Sequence, residues 1–371
     1  MADPLRFLRA ELDDLARKGL LRTPKAAAGI NVCSNDYLGF AREPLVATAS
    51  SGAGASALVL GHTQAHADAE ADLAAWLGHE AALLFSSGYA ANVGVLSALA
   101  SPGDLVLSDR LNHASIIDGC RLSRASVSVF EHADTASLRA LLQERRASFR
   151  RCVVVSESYF SMDGDAPDLR QIRALADEFD AALVIDEAHA IGVWGDAGRG
   201  RCQLEEVKPD VLVGTMGKAL GLHGAFVAGS AELRAYLWNK ARSFVFSTAI
   251  APALAELVSL RVAAVSAAAS RRARLFETAK AFRQALSLVS TAVLGQGPII
   301  PWVLGNASRA AEGQSFLAAR GVDGVAIRPP TVPSGAARLR LTAGAWMSAA
   351  EVATVCEVLS AAATELGHAD A

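Results

Sequence analysis

Between residues 150 and 230 the chain breaks repeatedly into short runs that are apolar throughout. Val153, Val154 and Val155 run up to Ser156 and Glu157. Leu183, Val184 and Ile185 run up to Asp186, and Val211 to Val213 and Ala225 to Val227 follow. A strand with one wet face alternates apolar and polar residues, so a run without alternation needs cover on both faces. Between the first two runs, Leu169, Ile172, Leu175, Ala176 and Phe179 keep helical spacing and mark one face of a helix. This order predicts an α/β domain with a mostly parallel sheet flanked by helices. In such sheets ligands gather beyond the carboxyl ends of the strands, where Asp186 falls.

The rest of the chain hangs on that domain. Leu5, Leu8, Leu12 and Leu15 predict an N-terminal helix within 5–21. After about residue 250 the character changes. Residues 251–290 read as long helices, with Leu275, Phe276, Ala279, Phe282 and Leu286 on one face. Strand-like 299–304, a helix near 308–320 and strand-like 339–341 follow, and Ser348 with Glu351 forms a capping box for a last helix. The predicted division is an N-terminal segment 1–34, a large domain 35–250 and a small α+β domain 251–371. With 371 residues, 52% of them hydrophobic, the chain can bury a sizeable core.

Composition narrows the partners. The net charge of -3, with no basic face, gives no source for phosphate-backbone binding, so no nucleic acid is expected. No charge falls between Glu80 and Asp104, but Ser86, Ser87, Gly88, Asn92 and Gly94 interrupt the stretch. It reads as a buried strand, a turn and a buried helix rather than a membrane span. The first residues mix acidic and basic side chains and lack the apolar core of a secretory leader. Five scattered cysteines without C-x-x-C spacing argue against a disulfide framework or a zinc site, and a cytoplasmic protein without metal is expected.

Four features converge on pyridoxal 5′-phosphate (PLP). Lys218 follows an apolar run and sits among Gly214, Gly217, Ala219 and Gly221. A lysine forms a Schiff base only as the neutral amine, which burial favours, and small neighbours leave room for a flat ring. Taken alone it reads equally well as a solvated lysine in a Gly-rich loop. Asp186-Glu-Ala-His189 closes a buried strand, where a carboxylate can pair with a pyridinium nitrogen and His189 can reach the phenolic oxygen of the same ring. The string also matches a helicase D-E-A-H box, but no phosphate loop G-x-x-x-x-G-K-[ST] precedes it. Ser86-Ser-Gly88-Tyr89 is a turn into a helix whose free N–H groups suit a phosphate. His113 is flat enough to stack on a pyridine ring. The four occur in a functional order along one α/β domain.

These residues resemble the α-oxoamine synthases, a fold-type I PLP transferase family, from about Ser34 to Met347. The matching strings are S-N-D-Y-L-G from Ser34, S-S-G-Y-A-A-N from Ser86, N-H-A-S from Asn112, S-M-D-G-D from Ser161, D-E-A-H from Asp186, T-M-G-K from Thr215 and F-S-T from Phe246. The resemblance implies that Lys218 carries PLP and acts as base, Asp186 pairs with the ring nitrogen, His189 bonds the phenolic oxygen and His113 stacks. It implies phosphate contacts from Gly88, Tyr89 and Thr215, and from Thr248 of a neighbouring subunit, hence a homodimer. It places Ser161 near the ring, and Arg340, Asn35 and Arg22 on the substrate side, a guanidinium fork suiting the amino-acid carboxylate. R-P-P-T-V-P from Arg328 and Gly217 before Lys218 favour the branch that condenses L-alanine with a pimeloyl thioester of CoA or a carrier protein, with loss of CO₂. The glycine, 5-aminolevulinate and serine palmitoyl branches share the catalytic set and remain alternatives, as does a non-catalytic protein of the same fold. The chain departs from the family pattern at Ala53, Ala55, Leu58 and Ala69, in the region that shapes the acyl side.

Overall fold

Seven strands build the central sheet: β1 (Ala81–Phe85), β2 (Leu105–Asp109), β3 (Ser126–Phe130), β4 (Cys152–Glu157), β5 (Ala182–Asp186), β6 (Val211–Thr215) and β7 (Ala225–Gly229). The computed structural model describes residues 4–18, 20, 21, 24 and 28–366. The spatial order is β1-β7-β6-β5-β4-β2-β3, and only β7 pairs antiparallel with its neighbours. A buried strand looks the same in either direction, so the apolar run at 225–227 did not reveal this. The link does: residues 216–224 are too few for the crossover of about a dozen that a parallel return needs.

The unbroken apolar runs are explained by what covers them. Val153, Val155, Val184 and Val213 enter one buried cluster, while Val154, Leu183 and Ile185 enter another. Successive side chains point to opposite faces, so each run feeds two cores at once. Each such side chain contributes roughly 1.5–3 kcal/mol on burial. The helix expected after β4 spans Leu169–Glu178, and Asp168 caps it by accepting from the Gln171 N–H at 2.9 Å. Leu169, Ile172, Leu175 and Ala176 are its buried face. The uncharged stretch after Glu80 is β1, a turn and the helix α1 (Gly88–Leu99). Among the described residues no single helix is long and apolar enough to cross a membrane.

The chain divides into two compact units. The larger joins Asn35–Phe160 to Asp165–Ala273, running past the change of character expected near residue 250. The smaller joins Met1–Ser34, the four-residue loop Ser161–Gly164 and Arg274–Ala371. Its sheet has three antiparallel strands, with Ala337–Thr342 between Val325–Ile327 and Ile299–Gly305. Ile30–Asn31 pairs with Val322–Asp323, which ties the N-terminal segment to the C-terminal part. The helix Ala349–Leu366 opens on the predicted capping box: the Ser348 backbone N–H donates to Glu351 at 2.7 Å and the Glu351 N–H to the Ser348 hydroxyl at 3.2 Å. The N-terminal helix is Phe7–Arg17, and Leu8, Leu12 and Leu15 on it are exposed.

Candidate active site

Asp186 is the last residue of β5, and its side chain is buried. Both oxygens accept hydrogen bonds: Oδ2 from Asn92 Nδ2 at 2.7 Å and Oδ1 from the Ala188 N–H at 2.8 Å. Two donors on one carboxylate fix its direction. The same Asn92 amide, on α1, donates to Ser115 Oγ at 3.0 Å. Ser115 Oγ lies 2.7 Å from Nδ1 of His113, the N-cap of the helix α2 (Ala114–Ser123). One chain of hydrogen bonds therefore links the expected ring-nitrogen partner to the expected stacking imidazole. His189, buried three residues after Asp186, has its Nδ1 2.7 Å from the Tyr37 hydroxyl, which also donates to Asn35 Oδ1 at 3.4 Å.

The phosphate end is equally local. Ser87 is the N-cap of α1, its hydroxyl accepting from the Ala90 N–H at 3.1 Å. Gly88 and Tyr89 occupy the first turn, whose N–H groups have no partner within a helix. A Cβ placed on Gly88 would lie 4.0 Å from Thr215 Oγ1, so the bare first turn and that hydroxyl face one space. Thr215 ends β6, accepts from the Gly217 N–H at 3.3 Å and donates to the Gly224 carbonyl at 3.1 Å. Lys218 follows, half-buried between the fully buried Met216 and Leu220. Anion cradle, lysine, carboxylate and imidazole lie in one unit, and this donor set fits PLP.

Charge is unevenly distributed here. Glu157 ends β4 in register with Asp186 on β5, and both are buried. Burial, then the Asp186 carboxylate, push the Glu157 acid up to about 8 against the opposing Lys218 ammonium. Glu157 Oε1 accepts from the His113 backbone N–H at 2.7 Å. Desolvation holds the His113 imidazole below its ordinary value, with Asp186 opposing and Lys218 adding to the effect.

Arg340 is in the smaller unit, buried on Ala337–Thr342, where its Nε donates to the Ser161 carbonyl at 2.6 Å and its guanidinium to Thr342 Oγ1 at 3.2 Å. Arg338, two residues before it, pairs with Asp163 at 2.6 Å. Arg22 lies outside the described residues. Thr248 is exposed and bridges Ser56, and with Ser86, His62 and His66 it lines a cavity of about 20 Å³, room for about one water. A larger groove of about 550 Å³ lies at Ala182, Val211 and Lys208, at the amino ends of β5 and β6 and away from this chemistry. Asn92, Ser115, Tyr37 and Glu157 were not singled out from the sequence. Each sits within or beside a motif, but Asn92 meets Asp186 94 positions away, Ser115 meets Asn92 23 away, Tyr37 meets His189 152 away and Glu157 meets His113 44 away.

Residues 27–359 match the family described as aminotransferase class I and II. An 8-amino-7-oxononanoate synthase of Geotalea daltonii is 40% identical, over 96% of this chain and 98% of its own length. One of Methylococcus capsulatus is 45% identical, over 90% of this chain and 89% of its own. Among solved structures, the serine palmitoyltransferase of S. paucimobilis with a bound PLP–myriocin aldimine superposes with a TM-score of 0.89 at 27% identity, covering 99% of this chain and 100% of that one.

Proposed function

Because the chain belongs to the aminotransferase class I and II family, and within it to the α-oxoamine synthases, we propose that it joins L-alanine to a pimeloyl thioester, giving 8-amino-7-oxononanoate, CO₂ and the free thiol, a step of biotin biosynthesis. The observation that carries the chemistry is the buried Asp186 carboxylate, held by Asn92 and Ala188 and linked through Ser115 to His113. The likeness over nearly the whole chain to relatives of that activity selects the substrates.

Bound PLP supplies an electron sink for negative charge at the carbon bearing the amino group. Lys218 would hold it covalently through Nζ, Asp186 would keep its ring nitrogen protonated, His189 would bond its phenolic oxygen and His113 would stack on the ring. Gly88, Tyr89 and Thr215 would take the phosphate, and Ser161 would stand near the ring. Arg340, Asn35 and Arg22 would bind and orient the substrates, Arg340 taking the alanine carboxylate in its fork. When alanine takes the place of Lys218, the freed Nζ accepts the α-proton. The α-carbon then bonds to the thioester carbonyl, the thiol leaves with a proton, and the carboxylate departs as CO₂. The proton held by Nζ returns to the α-carbon and solvent supplies the one on the thiol, so one proton is taken up per turnover. His113 would also donate to the acyl oxygen.

The reading includes a homodimer in which Thr248 serves the phosphate of the other subunit. The exposed Val59, Leu60 and Phe246, beside Thr248, support a surface covered by a second copy. It also includes a cytoplasmic setting, supported by Cys33, Cys120, Cys152, Cys202 and Cys356 all being thiols. The test is to supply L-alanine, glycine and L-serine in turn, each with pimeloyl-, acetyl-, succinyl- and palmitoyl-CoA, and to identify products by mass. Alanine with the pimeloyl donor should exceed every other pair. A faster reaction of glycine or serine would move the chain to a sister branch.

A further inference from the structure

Asp186 and Glu157 end neighbouring parallel strands, in register and buried. Their oxygens meet different donors. Asp186 accepts on both oxygens, from Asn92 and Ala188, as an anion should. Glu157 accepts the His113 N–H on Oε1. The charged groups that act on Glu157 are Asp186 at the end of β5, Lys218 after β6 and Asp109 at the end of β2, and His113 at the head of α2 touches it through its backbone. Asp109 is paired with His132, so Asp186 is the carboxylate that weighs most on Glu157, and a proton held within a buried carboxylate pair is the usual outcome.

We propose that Glu157 is a positioning residue of the cofactor site that works as a neutral carboxylic acid, its carbonyl oxygen holding the head of α2, and with it His113, while Asp186 remains the one anion of the pair. A carboxylate at 157 would hold the His113 N–H as well, but would double the negative charge facing the ring nitrogen. The neutral acid separates the two tasks: Glu157 fixes position and Asp186 supplies charge. Burial and the Asp186 field raise Glu157 to about 8, so the acid form holds at neutral pH and gives way in mild alkali. The inference rests on the assignment of PLP and not on the choice of amino acid or acyl donor.

The amide of Glu157→Gln copies the neutral acid: its oxygen still accepts from His113 and its NH₂ replaces the hydroxyl. Glu157→Ala removes the acceptor. The experiment titrates each full-length apoprotein with PLP near neutral pH, then follows the absorbance of the bound cofactor as pH is raised. Glu157→Gln should bind PLP within about two-fold of wild type, and Glu157→Ala at least about ten-fold more weakly. Wild type should show a spectral transition near pH 8 that Glu157→Gln lacks. If the Gln variant binds as weakly as the Ala variant, or keeps the transition, the proposal is overturned. If wild type itself binds no PLP, the cofactor assignment fails instead. Should the Gln variant not fold, infrared difference spectra of the wild-type holoenzyme across the same pH range decide. A carboxylic-acid band lost on raising the pH, and displaced in Glu157→Asp, supports the proposal, and absence of such a band overturns it.

Discussion

Two carboxylate pairs lie at the carboxyl ends of the same sheet and are treated in opposite ways. Asp109 and Asp165 face each other across His132, whose Nδ1 and Nε2 lie 2.9 Å from one and the other. Burial pulls this imidazole down, but the two carboxylates outweigh it and raise it to about 10, so it is an imidazolium at any ordinary pH. At Asp186 and Glu157 burial and the Asp186 charge outweigh the Lys218 ammonium, and there the repulsion falls on the acid. Bridged carboxylates are a structural clamp, joining the end of β2 to the segment that follows the Ser161–Gly164 loop. The Asp186 and Glu157 carboxylates are held apart in charge rather than joined by an imidazolium. A third acid makes the contrast sharper. Glu187, next to Asp186, takes the Arg201 N–H at 2.9 Å and the Cys202 N–H at 2.8 Å. A Cβ on Gly200 would lie 1.7 Å from its Oε2, and Gly200 has φ +97°. Only glycine fits there, so Asp186 of the D-E-A-H string is held by Asn92 while the next residue closes a turn.

The comparison can be broken by substitution. Lys218→Ala should abolish turnover, by more than about 10³-fold, because base and cofactor anchor are lost together. Its melting temperature should stay close to wild type, as measured by calorimetry of the apoproteins. Asp109→Asn should do the reverse and destabilise the fold by about 2 kcal/mol in urea unfolding, since it leaves a half-buried imidazolium half-paired.

His132→Gln should cost roughly 1–3 kcal/mol near neutral pH, and the cost should depend on pH. The folded value of about 10 lies above the ordinary 6.5, so the stabilisation is complete below about pH 6.5 and fades as pH rises through 10. Wild type and variant should converge in unfolding free energy at high pH, and a constant gap would remove His132 from the account. The smallest effect belongs to the Asp186 and Glu157 pair: Glu157→Gln should change stability by less than about 0.5 kcal/mol at neutral pH.

The sheet was legible because its strands are buried on both faces, and buried strands write themselves as unbroken runs such as 153–155 and 183–185. Lys218, Asp186, His189 and His113 stood out because a PLP site calls for a lysine, an acid and a flat ring, and all four lie in the larger unit. Strand direction at Ala225–Gly229 and the unit boundary at Ala273 were not. The helix Ala269–Ala285 runs through that boundary without a break in its pattern. The affiliation of Ser161–Gly164 with the smaller unit was also hidden. It depends on Arg338 reaching Asp163 and on the Gln296 N–H donating to the Gly164 carbonyl at 2.7 Å, contacts far apart in the chain. Asn92, Ser115 and Tyr37 escaped for the same reason: a polar residue in a helix or loop announces nothing until its distant partner is in place.

The account stands on Lys218. Borohydride reduction of the PLP-loaded protein, followed by digestion and mass spectrometry, fixes the cofactor to whichever amine holds it. The predicted result is a phosphopyridoxyl group on the peptide containing Lys218 and on no other. Labelling at Lys208 or Lys240, or none at all, would contradict it.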